Sequence, residues 1–555
     1  MASIHLSLGG SLSFFILCGV LLAESLQPAA ASETRIVNIY NFVRNSDYRL
    51  ANSEDVLFDA TRQEIQLVKQ ANLPATWALQ YDALINPRYQ KLLKEQLGTN
   101  DEIAAWWEIP RPLVEKANLK WRGHQHEWDS TANVGFAPGY TPEERRKLVD
   151  VYMADFKAIF GYYPRTVGSW YIDEVTLAYM AEHYGIVASC NCKDQVGTDG
   201  YTLWGGYWNQ AYYPSRLNAY MPAQTKAAQI DVPIFRMLGS DPIYQYGNSP
   251  GMWTLEPVYP AAGGSADWVA WFMNNLIHQP ALAFGYTQAG QENSFGWEAM
   301  KTGLTLQIAL LADQAKAGEI QVQTLAQAGQ WFHDHHSLTP PTSVVCLNDW
   351  KHENRKTVWY NSRFYRLNVF WENGSFFIRD LHRFDEHVIS PTHDRALATT
   401  FLAYGTLPVM DGALWSGTDK AGIWPVLLSP GGEKSPMTPD GSPVVKELNR
   451  TDLSVTQPLR GGGTFTMVCG ETNVTFTGID REGKPLGWAW DLVGGAQQKL
   501  AVQTVASNSI AYSYNGVDYQ LKLPPGIGAC GQLGDGAIRL SPNKSGRLAL
   551  ILGGF

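Results

Sequence analysis

From residue 35 to about 340 the chain alternates short apolar runs with longer stretches whose apolar positions recur every three or four residues. A short apolar run bounded by turn residues suits a strand buried on both faces, and the three-to-four spacing suits a helix lying over it. On this basis strands are predicted at 36–42, 75–80, 102–109, 121–126, 166–172, 185–192, 233–238 and 281–286, with helices between them. The clearest helix is predicted over 142–160, where Thr141 can cap the first turn and Pro142 takes the first helical position. Strands alternating with helices imply an α/β fold with a parallel sheet, and about eight of them suit a closed (β/α) barrel better than an open sheet.

After Pro340-Pro341 the pattern changes to short alternating strands such as 464–468, 474–476 and 510–514, separated by Gly, Asn and Asp turns. That alternation predicts an all-β sandwich over 341–555, after a barrel over 32–340. At the other end, Phe14 to Ala23 is an apolar run too short to span a bilayer, and Ala29-Ala30-Ala31 supplies the small residues a signal peptidase needs. Residues 1–31 therefore read as a signal peptide, with a secreted or periplasmic product starting at Ser32 and no membrane anchor.

Composition narrows the partners. The chain sets 43 Lys+Arg against 52 Asp+Glu for a net charge of −9, which leaves no basic surplus for phosphates and argues against nucleic acid. With 45% hydrophobic and 17% charged residues the sequence is that of a globular protein. Its 20 Trp and 26 Tyr cluster, as in Trp204-Gly-Gly-Tyr207-Trp208 and Tyr212-Tyr213. Most such rings fill a core, but flat rings with a polar edge also stack on sugar faces, so a carbohydrate becomes the leading ligand. Of the cysteines after Cys18, Cys469 and Cys530 lie in the strand-rich end and form the expected disulfide, while Cys190 and Cys192 share a strand face and read as core residues.

In a parallel barrel the chemistry collects where the strands end. The polar residues closing the predicted strands are Asn41, Glu108, the group His124, His126 and Glu127, then Asp173, Asp194, Asp241 and Glu292. Trp128, Trp170, Trp204 and Trp297 flank them. Carboxylates after strands also cap helices, so each admits a structural reading. Together they suit acid/base work on a sugar, since glycoside cleavage needs one carboxyl to protonate the leaving oxygen and another to attack or activate water.

Several stretches resemble a known superfamily: Gly139-Tyr-Thr-Pro-Glu-Glu-Arg-Arg-Lys-Leu, Phe160-Gly-Tyr-Tyr-Pro164, Val167-Gly-Ser-Trp-Tyr-Ile-Asp173, Tyr184-Gly-Ile186 and Lys69-Gln-Ala-Asn-Leu-Pro-Ala-Thr-Trp77. They are similar to the glycoside hydrolase/deacetylase superfamily, which includes polysaccharide deacetylases and glycoside hydrolase family 57. That resemblance implies a (β/α)7-type barrel. A deacetylase of this kind needs an Asp-Asp pair closing the first strand and a His-x-x-x-His pair to hold a divalent metal. Here the first strand closes with Tyr40-Asn41-Phe42, and His126 is followed four residues on by Ser130. The family 57 pattern places a nucleophile in a Trp-x-x-Glu setting, which Trp170-Tyr-Ile-Asp173 resembles with Asp for Glu, and an acid in a run that Gln291-Glu292-Asn-Ser-Phe295-Gly296-Trp297 resembles; its His-Gln-Pro motif is absent.

The resulting expectation is a secreted glycoside hydrolase that uses no metal or other cofactor. Asp173 is expected to be ionised as nucleophile or base, Glu292 to hold its proton as acid, and Asp241 to stand as the alternative carboxylate. Glu108, His124, His126, Glu127, Trp128, Trp170, Asp194, Trp204 and Trp297 are expected to bind substrate. Two alternatives remain open: a metal-dependent polysaccharide deacetylase, and a non-catalytic carbohydrate-binding protein on the same barrel.

Overall fold

The structure, a computed structural model, describes residues 34–247 and 251–554, so the predicted signal peptide lies outside the described residues. Seven strands form the main run of a parallel sheet, β1 (Arg35–Val43), β2 (Thr76–Leu79), β3 (Glu102–Trp106), β4 (Thr166–Gly168), β5 (Ala188–Asn191), β6 (Ile234–Arg236) and β7 (Gly285–Ala289), and Gln321–Gln323 adds a further parallel pairing to β1. Their spatial order is β7-β1-β2-β3-β4-β5-β6, so the chain winds steadily around one axis. A short strand, Ala211–Tyr212, pairs antiparallel with β6 at the far edge. Among the described residues no strand pairing joins that edge back to β7, which leaves the barrel nearly closed.

All nine residues of β1 are buried, as expected for a parallel strand covered on both faces. Its polar members find partners on neighbouring segments: Asn38 donates to the Gln323 carbonyl at 2.8 Å, and the Asn41 side-chain oxygen accepts from the Gln291 amide at 3.2 Å. The helix Pro142–Phe160 has the predicted ends, with a capping box between Thr141 and Glu144 at its start and Gly161 at φ 87° closing it.

Seven of the predicted strands are present at or near their expected positions, though 166–172 contracts to Thr166–Gly168 and 281–286 shifts to Gly285–Ala289. The segment 121–126 is not a strand. Its Arg122, His124, Gln125 and His126 are polar and turned largely toward solvent, and the Trp121 indole donates to the His124 carbonyl at 2.7 Å, which folds the segment on itself.

From Thr342 onward the chain is all β. A ten-stranded sheet begins with Thr342–Cys346, and an eight-stranded antiparallel sheet begins with Val444–Glu447. They meet through aromatic side chains: Phe376 and Trp490 of the first sheet pack on Phe465 and Phe476 of the second. The expected Cys469–Cys530 disulfide is not formed: both are free thiols, Cys469 in the eight-stranded sheet and Cys530 in the ten-stranded one. The barrel and the all-β part also interlock, since Leu402–Gly405 runs parallel to Tyr201–Trp204 as a shared pair of strands.

Candidate functional site

Arg44, the residue after β1, is a buried charged group at the barrel mouth. Its guanidinium makes a two-pronged contact with Glu108 at 2.7 and 2.8 Å, and its remaining nitrogen reaches Glu292 at 2.5 Å and the Ser294 hydroxyl at 3.2 Å. Glu108 also accepts from Gln80, beyond β2, at 2.6 Å. The ends of four strands, β1, β2, β3 and β7, therefore converge on one cationic fork. Arg44 is fixed through its backbone: the Asn293 side chain accepts from the Arg44 amide at 3.0 Å and donates to its carbonyl at 2.8 Å, and Tyr89 donates to the same carbonyl at 3.1 Å. Glu292 is in turn held beside Phe42 by a parallel bridge. The loop after Arg44 is tied down by Asp82, which accepts the Asn45 and Ser46 amides at 3.1 Å and is pushed up to about 7 by burial.

A third carboxyl, Glu256, lies within electrostatic reach of Glu292. Glu256 is buried and accepts from the Thr254 hydroxyl at 2.7 Å. Its loop is folded back over β6 by bonds from the Leu255 amide to the Leu238 carbonyl and from Gln307 to the Leu255 and Gly263 carbonyls. Burial raises Glu256 above the ordinary carboxylate range, with the charge of Glu292 adding to the rise and the Thr254 hydroxyl and the Lys193 ammonium opposing it. Lys193, just beyond β5, is itself buried, and its ammonium reaches the Asp194 carbonyl at 3.5 Å. Glu292 is likewise raised by burial, opposed by Arg44 and reinforced by Glu108. Arg49 also opposes the rise of Glu292, so the carboxyls face the cations Arg44, Arg49 and Lys193.

Aromatic side chains wall this cluster. The Arg44 guanidinium lies 4.6 Å from the centre of the Trp128 ring, and Arg49 lies 5.2 Å from it. Tyr48 stacks on His126 at 5.1 Å, and Tyr48 and Trp128 are 5.9 Å apart. Trp170 stands edge-on to Phe42 and Trp106 at 5.1 and 5.5 Å. Of the predicted residues, Glu108, Glu292, Trp128 and His126 are therefore gathered around Arg44, and Trp170 packs on the Phe42 that adjoins Glu292. Arg44, Lys193 and Glu256 were not anticipated.

Other predicted residues have different surroundings. Asp173 is fully buried, paired with Arg145 at 2.9 Å, and caps the helix Glu174–Tyr184 by accepting from the Thr176 amide and hydroxyl at 3.0 and 2.6 Å. Its carboxylate is saturated by these partners, which corrects the expectation of a free nucleophile paired with Glu292. Asp241 turns the backbone at Ile243 and Tyr244 and accepts from the Trp268 and Trp350 indoles at 3.2 and 3.1 Å, with burial raising it to about 6. Asp194 bonds Tyr220, Arg236 and Arg366, and Trp204 donates to Asp411 at 2.7 Å, so both tie the barrel to the all-β part. Trp297 opens the helix Trp297–Ala317 and packs on the core. His124 is exposed and pairs with Asp129, and Glu127 is exposed, offering its carbonyl to the Arg111 amide.

The donor set does not suit the divalent metal that a deacetylase would carry. Asn41 closes β1 where an anionic pair is required, and Glu108 and Glu292 already face a guanidinium. Among the described residues no three His, Cys, Asp or Glu side chains converge as a metal-holding group. Cys190 and Cys192 are buried thiols, the latter pushed up to about 11 by burial.

No family model and no curated protein matches the chain. Among solved structures it is similar to a Parabacteroides distasonis protein described as a glycoside hydrolase/deacetylase, with 14% identity and a TM-score of 0.49 over 69% of this chain and 92% of that one. It is also similar to proteins described as polysaccharide deacetylases from Mycobacterium smegmatis and Pseudomonas aeruginosa PAO1, each with 11% identity and a TM-score of 0.34 over 55% of this chain and 92% and 93% of theirs. The structural neighbours are thus glycoside hydrolase and polysaccharide deacetylase proteins, the group that the stretches between residues 139 and 186 resemble.

Proposed function

We propose that the barrel mouth is the active site of a carbohydrate-processing hydrolase that cleaves a glycosidic bond by acid/base chemistry. The observation that carries this reading is the pair Glu292 and Glu256, two buried carboxyls raised by desolvation beside a third carboxylate and the cations Arg44, Arg49 and Lys193. Cleavage of an acetal needs a proton donor and a carboxylate, and no electron acceptor. Glu292 is the donor: burial raises it above the ordinary carboxylate range, and Arg44 engages only its Oε2, which leaves Oε1 to carry a proton to the leaving oxygen. Glu256, raised by burial against the opposing pull of the Thr254 hydroxyl and the Lys193 ammonium, then acts once ionised, attacking the anomeric carbon or taking the proton of an attacking water. Trp170, which is only partly buried, would stack against a sugar face, and Trp128 would back the cationic fork.

Glu292→Gln and Glu256→Gln are each expected to lower turnover by about 10²- to 10⁴-fold with the near-ultraviolet circular dichroism unchanged. Because Glu292 must be protonated, the wild-type rate should fall as pH rises through its raised value, and this alkaline limb should disappear in Glu292→Gln. The measurement is release of reducing sugar from a glycan panel after exhaustive chelation.

The second reading, removal of an acyl group from the same kind of sugar, coincides with how the Mycobacterium and Pseudomonas proteins are described. Acetate release that chelation abolishes and zinc restores would establish it in place of the first. Glycan binding without turnover by the parent chain, left unchanged in both variants, would instead identify a non-catalytic binding protein. Action outside the cytoplasm, after removal of residues 1–31, is part of the same proposal.

A further inference from the structure

A cavity of about 490 Å³ lies away from the barrel mouth, between the loop after β6 and the ten-stranded sheet. Its size is within the ~300–1,000 Å³ usual for small-molecule sites. The wall is aromatic, with Tyr244, Trp253, Phe370 and Phe377, and it carries both cations and anions. Arg355 has Glu353 at 3.2 Å, and Lys420 has Glu372. Lys351 and Arg379 differ: among the described residues neither forms an ion pair with a carboxylate.

Lys351 is suspended over rings, its ammonium 4.1 Å from the centre of Trp253 and 4.3 Å from that of Tyr244. Arg379 is only 6% exposed. It donates to the Asn368 side-chain oxygen at 2.6 Å and to the Ile243 and Pro242 carbonyls at 3.2 Å, all of them neutral, and lies 4.0 and 4.2 Å from the Phe370 and Tyr246 rings. Asp380, the acidic neighbour in sequence, is taken up by both prongs of Arg366. Burial pulls Arg379 down to about 10, against the opposing charges of Asp380, Glu372 and Asp241, none of which bonds it directly. A buried charge left unpaired is costly, and an entering anion relieves that cost.

We propose that this cavity is a second saccharide site, which takes a sugar ring bearing a carboxylate. Lys351 and Arg379, neither in an ion pair, hold the carboxylate; Lys351 swings off the Trp253 and Tyr244 rings to reach it, and the apolar face of the sugar takes its place on them. The two features select together, because a neutral sugar leaves the cations unpaired and a small inorganic anion leaves the rings uncovered. The site does not depend on the reading of the barrel mouth.

The test is calorimetric titration of the full chain with a trigalacturonate and with the neutral galactotriose. The carboxylated sugar should bind at least about tenfold more tightly than the neutral one, and Lys351→Met should remove most of that advantage. Trp253→Ala, which spares both cations, should weaken the carboxylated sugar by about tenfold as well. Glu292→Gln, confined to the mouth, should leave this affinity unchanged. Equal binding of the two sugars, no binding of either, affinity unmoved in both cavity variants, or loss of binding in Glu292→Gln would each overturn the proposal.

Discussion

Arg44 decides what the other mouth residues can do, because Glu108 and Glu292 are both buried against it. Removing one partner of a buried ion pair strands the other, so Arg44→Met should cost about 3–5 kcal/mol, read as a fall in the thermal midpoint, and abolish turnover. Arg44→Lys keeps the charge but loses the fork that spans both carboxylates; stability should recover in part and turnover should not. The carboxylates Glu108 and Glu292 were legible in the sequence because each closes a strand or comes directly after one. Arg44 and Lys193 were equally well placed, one beyond β1 and one near the end of β5, and a search of strand ends for cations as well as acids would have found them. Glu256 was not legible, since it lies some distance along a loop after β6 and returns to the mouth only through tertiary bonds to Leu238 and Gln307. Asp173 shows the converse: the strand expected to reach it ends at Gly168, and Arg145 and Thr176 consume its carboxylate.

At the scale of elements, local chemistry was read well where a cap or a fully buried run marks it. Thr141 starts the helix Pro142–Phe160 by the bond it offers the Glu144 amide, so Thr141→Ala should lower stability by about 1 kcal/mol, seen as a lower denaturant midpoint at unchanged slope. The strand expected at 121–126 failed for a reason visible in its composition: Arg122, His124, Gln125 and His126 are too polar for a position covered on both faces. Beyond β3 the chain instead makes an irregular loop that carries His126 and Trp128 to the rim, where they meet Tyr48 from the loop after β1. An aromatic rim built from two loops leaves no periodic trace in the sequence.

For the whole molecule the decisive contacts are those between the barrel and the all-β part, and they are the least legible of all, because they join residues hundreds of positions apart. Arg366 binds Asp194 of the barrel at 2.5 Å and Asp380 at 2.7 and 2.9 Å, all three side chains buried. Arg366→Met should therefore cost about 3–5 kcal/mol and lower one common unfolding transition, measured calorimetrically, with no separate barrel melt appearing. His393 adds a pH-dependent strap: its ring lies 3.0 Å from Glu174 and is raised above the ordinary histidine value by that bond. The stabilisation is full below the unfolded value and is lost as pH rises through the raised folded one, so wild-type stability should decline as pH rises above the ordinary histidine value and His393→Gln should flatten that slope. Arg145, inside the helix Pro142–Phe160, donates to the carbonyls of Thr392 and Arg395 at 2.9 and 3.0 Å. In the direction of synthesis this contact sets a schedule. A nascent chain grows at roughly 5–20 residues per second, so the barrel sequence is outside the ribosome well before the segment that completes the burial of Arg145 has been made. For that interval the barrel carries a guanidinium, the Asp194 carboxylate and the Trp204 edge strand without their final partners, and a chain released at residue 340 should be degraded by protease where the full chain resists.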